Sequence, residues 1–118
     1  MSAVKFLLEN GADVNTKDSK NFTLLMYCVQ YSELSLVQLA LSYGARINDR
    51  DNSGYSALDY AIQSNNLNSV ILLVENGADI SDDSYMLAME QNYKKIVNYF
   101  DSLDEDKQIL QYKQTFFA

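Results

Sequence analysis

An all-α solenoid, in which helix–turn–helix units stack in a row, is the fold class that the sequence predicts. The dipeptide Gly-Ala recurs at equal intervals, at Gly11, Gly44 and Gly77. Self-similarity at a period of about 33 residues is typical of helical repeat proteins. Apolar residues at helical spacing precede each glycine, as at Val37 and Leu41. Such a one-sided helix must be buried by a neighbour, so the units are expected to pack against one another.

Each complete unit is expected to hold two short helices. The second helix carries an apolar stripe and ends at the glycine, where a left-handed residue is needed. Thr23 and Ser56 stand where a hydroxyl would cap the first helix. Asn21 and Gly54 occupy the turn before that cap, which requires a positive φ. The predicted stripe residues are Leu34, Val37, Leu41, Leu67, Val70 and Val74.

The period divides most of the chain into four units. Residues 1–17 form a partial unit that begins inside a second helix, and residues 18–50 and 51–83 form complete units. The fourth unit, residues 84–103, is shortened. The pattern of residues 60–65 returns at residues 87–92, earlier than the period places it, which indicates that six residues of the connecting loop are deleted.

The remaining segment, residues 104–118, is predicted to form a C-terminal capping helix, with Ser102 as its N-cap. Apolar residues fall on one face of this segment, and the open end of a stack needs a finished outer face. A partner-binding amphipathic tail is the alternative interpretation.

These units resemble the ankyrin repeat over about residues 3–100. The family pattern is Asp-x-x-Gly-x-Thr-Pro-Leu-His, followed by a second helix and Gly-Ala-Asp. Here the Thr-Pro-Leu-His motif becomes Thr-Leu-Leu-Met at residues 23–26 and Ser-Ala-Leu-Asp at residues 56–59. The helix-starting proline and the histidine that ties repeats together in the family are therefore missing, so modest stability is expected.

Composition excludes most catalytic and metal chemistry. The chain has no histidine and one cysteine, Cys28, which removes the usual general base and the common zinc ligands. Cys28 matches Ala61 in the next unit and is expected to be buried and inert. Asp79, Asp82 and Asp83 lack the spacing of a calcium loop, and Asp83 is expected to cap a helix. No enzyme activity, cofactor or metal is predicted.

Charge points to a protein partner. The net charge is −7, and residues 51–118 hold four basic and eleven acidic side chains. Nucleic-acid binding requires a basic surface, so it is disfavoured, and a partner with a basic surface is favoured. The sequence shows no transmembrane segment or signal peptide, so a cytoplasmic location without membrane association is expected.

The resemblance implies a concave binding surface, formed by the loops before the first helices, termed fingers, and the exposed faces of those helices. Phe22, Tyr31 and Tyr55 are the predicted aromatic anchors. The alternative for Phe22 and Tyr55 is that they pack across adjacent fingers. The full predicted set is Lys17, Ser19, Lys20, Phe22, Gln30, Tyr31, Arg50, Asn52, Ser53, Tyr55, Gln63, Ser64, Glu90 and Gln91.

The expected function is that of a non-enzymatic protein-interaction module, part of a larger protein, that binds its partner on this surface. The alternative is structural self-association through the truncated first unit, whose helix offers Val4, Phe6, Leu7 and Leu8 to a second copy. The expected state is accordingly a monomer or a weak homo-oligomer.

Overall fold

The structure is a computed structural model that describes residues 2–103. Within that range the chain forms seven α-helices and no β-strand, which confirms the predicted all-α class. One isolated antiparallel bridge joins Lys17 to Thr23. The predicted capping helix at 104–118 lies outside the described residues. The helices are α1 (Ser2–Glu9), α2 (Leu24–Gln30), α3 (Leu34–Ser42), α4 (Ala57–Gln63), α5 (Leu67–Glu75), α6 (Asp82–Glu90) and α7 (Lys94–Ser102).

The helices stack in two layers. Helices α2, α4 and α6 contact one another in sequence and form the first-helix layer, and α1, α3, α5 and α7 do the same in the second-helix layer. Three antiparallel pairs, α2 with α3, α4 with α5 and α6 with α7, connect the layers through short turns. Helix α1 has a neighbour in its own layer, α3, and occupies the place of a second helix.

The loops between the pairs differ in length. We name residues 10–23 the first finger and residues 43–56 the second finger, and these two loops are equally long. The corresponding connection between α5 and α6, residues 76–81, is less than half as long. Helix α6 therefore begins almost directly after the end of α5, and no finger precedes it.

Hydroxyl caps begin the first helices, as predicted. The Thr23 hydroxyl accepts a hydrogen bond from the Met26 amide at 3.2 Å, and the Ser56 hydroxyl accepts one from the Asp59 amide at 3.3 Å. Each cap also has a reciprocal hydrogen bond. The Met26 sulfur accepts from the Thr23 amide, and an Asp59 carboxylate oxygen accepts from the Ser56 amide. Both helices thus begin with a reciprocal capping box.

The helix cap predicted at Asp83 is wrong. Helix α6 is capped by Ser81, whose hydroxyl accepts from the Ser84 amide at 3.1 Å, and Asp83 lies inside its first turn. There the Asp83 carboxylate is favoured by the positive end of the helix dipole without being the cap. Ser102 lies in the last turn of α7 and donates to the Tyr99 carbonyl at 2.6 Å, and the helix that it was predicted to cap lies outside the described residues.

Left-handed backbone appears where the sequence predicted it and also in the short turns. Asn21 and Gly54 have φ values of 61° and 86° at equivalent places in the two fingers. The turns inside the helix pairs contain Ser32, Asn65 and Asn92 at φ values of 59°, 51° and 59°. Asparagine adopts this conformation more readily than most residues, which accounts for part of its abundance in the chain.

The core lies between the two layers, and the predicted stripe is only partly right. Val37 and Val70 are fully buried, as expected. The other stripe residues are half-buried, and the positions buried with Val37 on α3 are Leu36 and Ala40. Since α3 contacts α1, α2 and α5, its buried face is determined by three neighbours and not by its partner α2 alone.

Equivalent hydrogen bonds recur between successive units at the period of the sequence repeat. The side chain of Asn15 accepts from the Arg46 amide at 2.8 Å and donates to the Gly44 carbonyl at 3.3 Å. Asn48, at the equivalent position one unit later, makes the same two bonds to the Asp79 amide and the Gly77 carbonyl. These asparagines fix the register between successive glycine turns.

Asp59 occupies the position at which the family has its histidine. It is buried, and it links the α4–α5 pair to the α6–α7 pair. Its carboxylate accepts hydrogen bonds from the Ser56 amide at 3.0 Å and from the Ser84 hydroxyl at 2.5 Å, and Arg50 lies 3.7 Å away. Ser84 belongs to α6, so this bond joins α4 to the next unit. The equivalent residue one unit earlier, Met26, is also fully buried.

Candidate functional site

The predicted surface residues fall into two rows at opposite ends of the first helices. One row lies in the fingers, and the other lies in the turns that end these helices. A seven-residue helix such as α2 separates the rows by about 10 Å. The finger row contains Lys17, Ser19, Lys20, Phe22, Arg50, Asn52, Ser53 and Tyr55, and the turn row contains Gln30, Tyr31, Gln63, Ser64, Glu90 and Gln91.

An aspartate shapes each finger. Asp18 accepts hydrogen bonds from the amides of Lys20 and Phe22, both at 2.9 Å. Asp51 accepts from the amides of Ser53 and Tyr55 at 2.9 and 3.1 Å. The bond from the Phe22 amide is the main reason that the pKa of Asp18 lies below its ordinary value. Each fingertip is therefore held in one conformation by its own carboxylate.

Tyrosines on the first helices complete these turns, and sequence reasoning missed them. The Tyr27 hydroxyl donates to Asp18 at 3.2 Å, and the Tyr60 hydroxyl donates to Asp51. Burial, followed by the bond to Asp51, raises the pKa of Tyr60. Burial would raise the pKa of Asp51, but hydrogen bonds from Tyr60 and the loop amides outweigh it and keep that pKa low. A tyrosine at the same distance after the finger aspartate in both complete units was the available sequence signal.

Four aromatic rings form one cluster along the fingers. Phe22 packs edge-on against Tyr27 and against Tyr60 of the next unit, with ring centroids 4.5 and 5.3 Å apart. Tyr55 packs edge-on against Tyr60 at 5.7 Å. These contacts leave Phe22 half-buried, which agrees with the alternative that it packs across adjacent fingers. Tyr55 remains 42% exposed. Tyr31, in the turn row, is the most exposed large hydrophobic side chain of the described residues at 66%.

Several of the predicted polar residues are engaged within the chain. Lys17 pairs with Asp49 at 3.3 Å, which ties the first finger to the second. The amide of Asn52 donates to the Lys20 carbonyl at 2.9 Å, and the Asn52 side chain accepts from Asn21 at 2.7 Å. These contacts hold the fingertips side by side and leave fewer groups for a partner.

A cleft of 430 Å³ brings four of the fourteen predicted residues together. Arg50, Ser53 and Tyr55 lie on its second-finger side, and Glu90 lies on its α6 side. The Arg50 guanidinium is held there by the Gly54 carbonyl at 2.7 Å and by buried Asp59. The other lining residues, absent from the predicted set, are Gly54, Asp59, Asp83, Met86 and Leu87.

Two further grooves lie away from this cleft. A polar groove of 750 Å³ runs along the turn row and includes Ser64, Asn66, Asn92 and Lys95. An apolar groove of 380 Å³ lies at the N-terminal end of the stack, between α1 and α2. Lys17 and Phe22 line the second of these grooves together with Leu7, Leu8 and Leu24.

The family model for ankyrin repeats matches residues 1–84 in three copies. The chain belongs to the ankyrin-repeat family. Ankyrin repeats are generally protein–protein interaction modules and are typically non-enzymatic. No curated protein sequence is significantly similar to this ankyrin chain.

The described part of the ankyrin stack offers few side chains suited to catalysis or metal binding. Among residues 2–103, no group of three or more histidine, cysteine or carboxylate side chains is placed to hold a metal ion. Cys28 is buried, and burial, with a smaller contribution from Glu33, raises the pKa of its thiol. A protonated, inaccessible thiol is a poor nucleophile. In the same part of the chain, no helix is long and apolar enough to cross a membrane.

Proposed function

We propose that this ankyrin chain is a non-enzymatic module that binds another protein on the surface formed by its fingers and first helices. The observation that carries the proposal is the ordered finger surface, on which Tyr55 is 42% exposed and Tyr27 is 43% exposed, while half-buried Phe22 and Tyr60 pack against them. An exposed aromatic ring on a rigid support is a typical interface anchor, because little entropy is lost when it binds.

The proposal includes Tyr31 as a second anchor in the turn row. Its side chain protrudes from the C-terminal end of α2, about 10 Å from the finger that precedes the same helix. A partner that spans one first helix from end to end would contact both rows. Exposed Gln30 and Gln63, which also end first helices, would then supply polar contacts at the rim.

The test is affinity capture from a cytosolic extract with the purified chain as bait, followed by mass spectrometry. The double variant Tyr31→Ala/Tyr55→Ala should hold the captured partner about tenfold more weakly than the natural chain, with unchanged helical content. Tyr43→Ala is the matched control, since Tyr43 and Tyr55 are equally exposed and Tyr43 follows a second helix. Equal capture by the double variant would refute the proposal, and fractionation would test the cytoplasmic location proposed with it.

Self-association through α1 is the second candidate, and one observation favours it. Phe6 and Leu7 are 63% and 56% exposed on α1, beside the apolar groove of 380 Å³. A second copy that covers them would bury apolar surface. Sedimentation equilibrium should then show an apparent mass that rises with concentration, and Phe6→Ser/Leu7→Ser should abolish the rise. A concentration-independent monomer mass would exclude this candidate.

A further inference from the structure

The cleft between the second finger and α6 exists because the last helix pair has no finger of its own. On α4, the side chain of Tyr60 is covered by the rings of Phe22 and Tyr55 and bonded to Asp51. Leu87 stands at the position on α6 that Tyr60 occupies on α4. The connection before α6 is too short to form a finger beside Leu87, and Leu87, which is half-buried, lines the cleft.

Apolar and acidic side chains both line the cleft. Met86 and Leu87, both half-buried, line the cleft from α6, and Tyr55 lines it from the second finger. Asp83 and Glu90 are exposed and stand four positions before and three after Leu87, which places all three on one face of α6. Apolar side chains flanked by two solvated carboxylates suit a ligand with an apolar group and a cation.

The basic residue in the cleft does not cancel this charge. Arg50 is occupied by the carboxylate of Asp59 and the carbonyl of Gly54. Helix α6 itself contains no lysine or arginine, so Asp83 and Glu90 have no cation on their own helix. The chain as a whole carries a net charge of −7, which disfavours a second copy as the occupant and favours a cationic one.

We propose that this cleft binds an extended segment of a partner protein in which a lysine or arginine adjoins an apolar side chain. The apolar side chain would lie on Leu87 and Met86 against Tyr55, and the cation would pair with Asp83 or with Glu90, which lie about one helical turn to either side of Leu87. The proposal rests on the proposed function, because it assigns a ligand chemistry to one part of the same finger and first-helix surface.

The test uses two acetylated, amidated hexapeptides, Lys-Leu-Gly-Lys-Leu-Gly and its counterpart with glutamate in place of lysine. Each peptide is titrated into the full ¹⁵N-labelled chain, and backbone amide shifts are followed by NMR. The lysine peptide should shift the amides of Gly54, Tyr55, Leu87 and Glu90, and the glutamate peptide should not. Raising NaCl from about 50 to about 300 mM should weaken the binding several-fold, because the pairs are solvent-exposed.

The variant Asp83→Asn/Glu90→Gln should weaken binding of the lysine peptide about fivefold. The matched control is Glu75→Gln/Asp79→Asn, which removes the same charge from exposed residues outside the cleft. Equal binding of both peptides, shifts confined to other residues, or an unaffected cleft variant would overturn the proposal. If capture still depends on Tyr31 and Tyr55 while the lysine peptide does not bind, the proposed function stands and the cleft proposal alone is wrong.

Discussion

Two buried serines should respond in opposite directions to the same substitution. Ser69 and Ser84 are each the third residue of a helix, in α5 and α6, and both are buried. Within residues 2–103, the Ser69 hydroxyl has no hydrogen-bond partner. The Ser84 hydroxyl donates to the Asp59 carboxylate at 2.5 Å and lies 2.9 Å from the Ser81 hydroxyl. The pair therefore separates the cost of an unsatisfied hydroxyl from the value of a satisfied one.

The expected magnitudes follow from these contacts. Replacing serine by alanine in a helix gains about 0.5 kcal/mol of intrinsic propensity, which is common to both sites. Ser69→Ala also removes a buried unpaired hydroxyl, worth about 1 kcal/mol, so the free energy of unfolding should rise. Ser84→Ala removes a hydrogen bond to a buried carboxylate, worth about 2 kcal/mol, so it should fall. The two variants should differ by about 3 kcal/mol.

Urea unfolding followed by far-UV circular dichroism measures both free energies. The slopes of the transitions should stay equal, since neither change alters the surface exposed on unfolding. If Ser69→Ala lowered the free energy of unfolding as much as Ser84→Ala, the assignment of an unsatisfied hydroxyl to Ser69 would be wrong.

Three further predictions concern the fingers and the core. Because the folded pKa of Asp51 is depressed, its contribution to stability is present above the unfolded pKa, about 3.9, and is lost as the pH falls through the folded value. Tyr60→Phe removes a hydrogen bond to that carboxylate, so acid titrations of stability should show a shallower loss in the variant than in the natural chain. Gly54 has a φ of 86° and open space around it, so Gly54→Ala should cost about 1 kcal/mol in urea unfolding from strain alone. Gly54→Asn should cost less, because Asn21 already adopts this conformation at the equivalent place, and equal costs would contradict the explanation. Buried Cys28 should react with a disulfide reagent more than about tenfold more slowly in the native chain than in urea; equal rates would show an accessible thiol.

The sequence predicted the repeat fold well because the information is local and periodic. Thr23, Ser56, Asn21 and Gly54 act within a few residues of their own positions, so their roles could be read from residue type and spacing. The positions of helices within each pair repeat for the same reason. These features needed no knowledge of what packs against the helices.

Contacts between units were harder to predict. Asp59 replaces the histidine that ties repeats together in the family, so a link between units was expected to be missing. Its carboxylate nevertheless bonds to Ser84 on α6, the first helix of the next unit. For Phe22 the sequence left open an exposed anchor or packing across adjacent fingers, and in the structure its ring packs against Tyr60 of the next unit. The candidate cleft depends on the absence of a loop over Leu87, and its lining joins residues from the second finger and α6. Such features depend on pairs of residues that belong to different units, which a single repeat pattern does not specify.

The missing finger before α6 also changes how neighbouring units are coupled. The two fingers are joined through Lys17 to Asp49 and through Lys20 to Asn52, so displacing one finger would break contacts of the other. The α6–α7 pair makes neither of these finger contacts. It is held to the α4–α5 pair by helix packing and by the hydrogen bond from Ser84 to Asp59. In a one-dimensional stack, stability is a sum of unit and interface terms. Opening of the α6–α7 pair, measured as faster amide hydrogen exchange in these two helices, is therefore expected to disrupt the acidic cleft while the two fingers stay joined to each other.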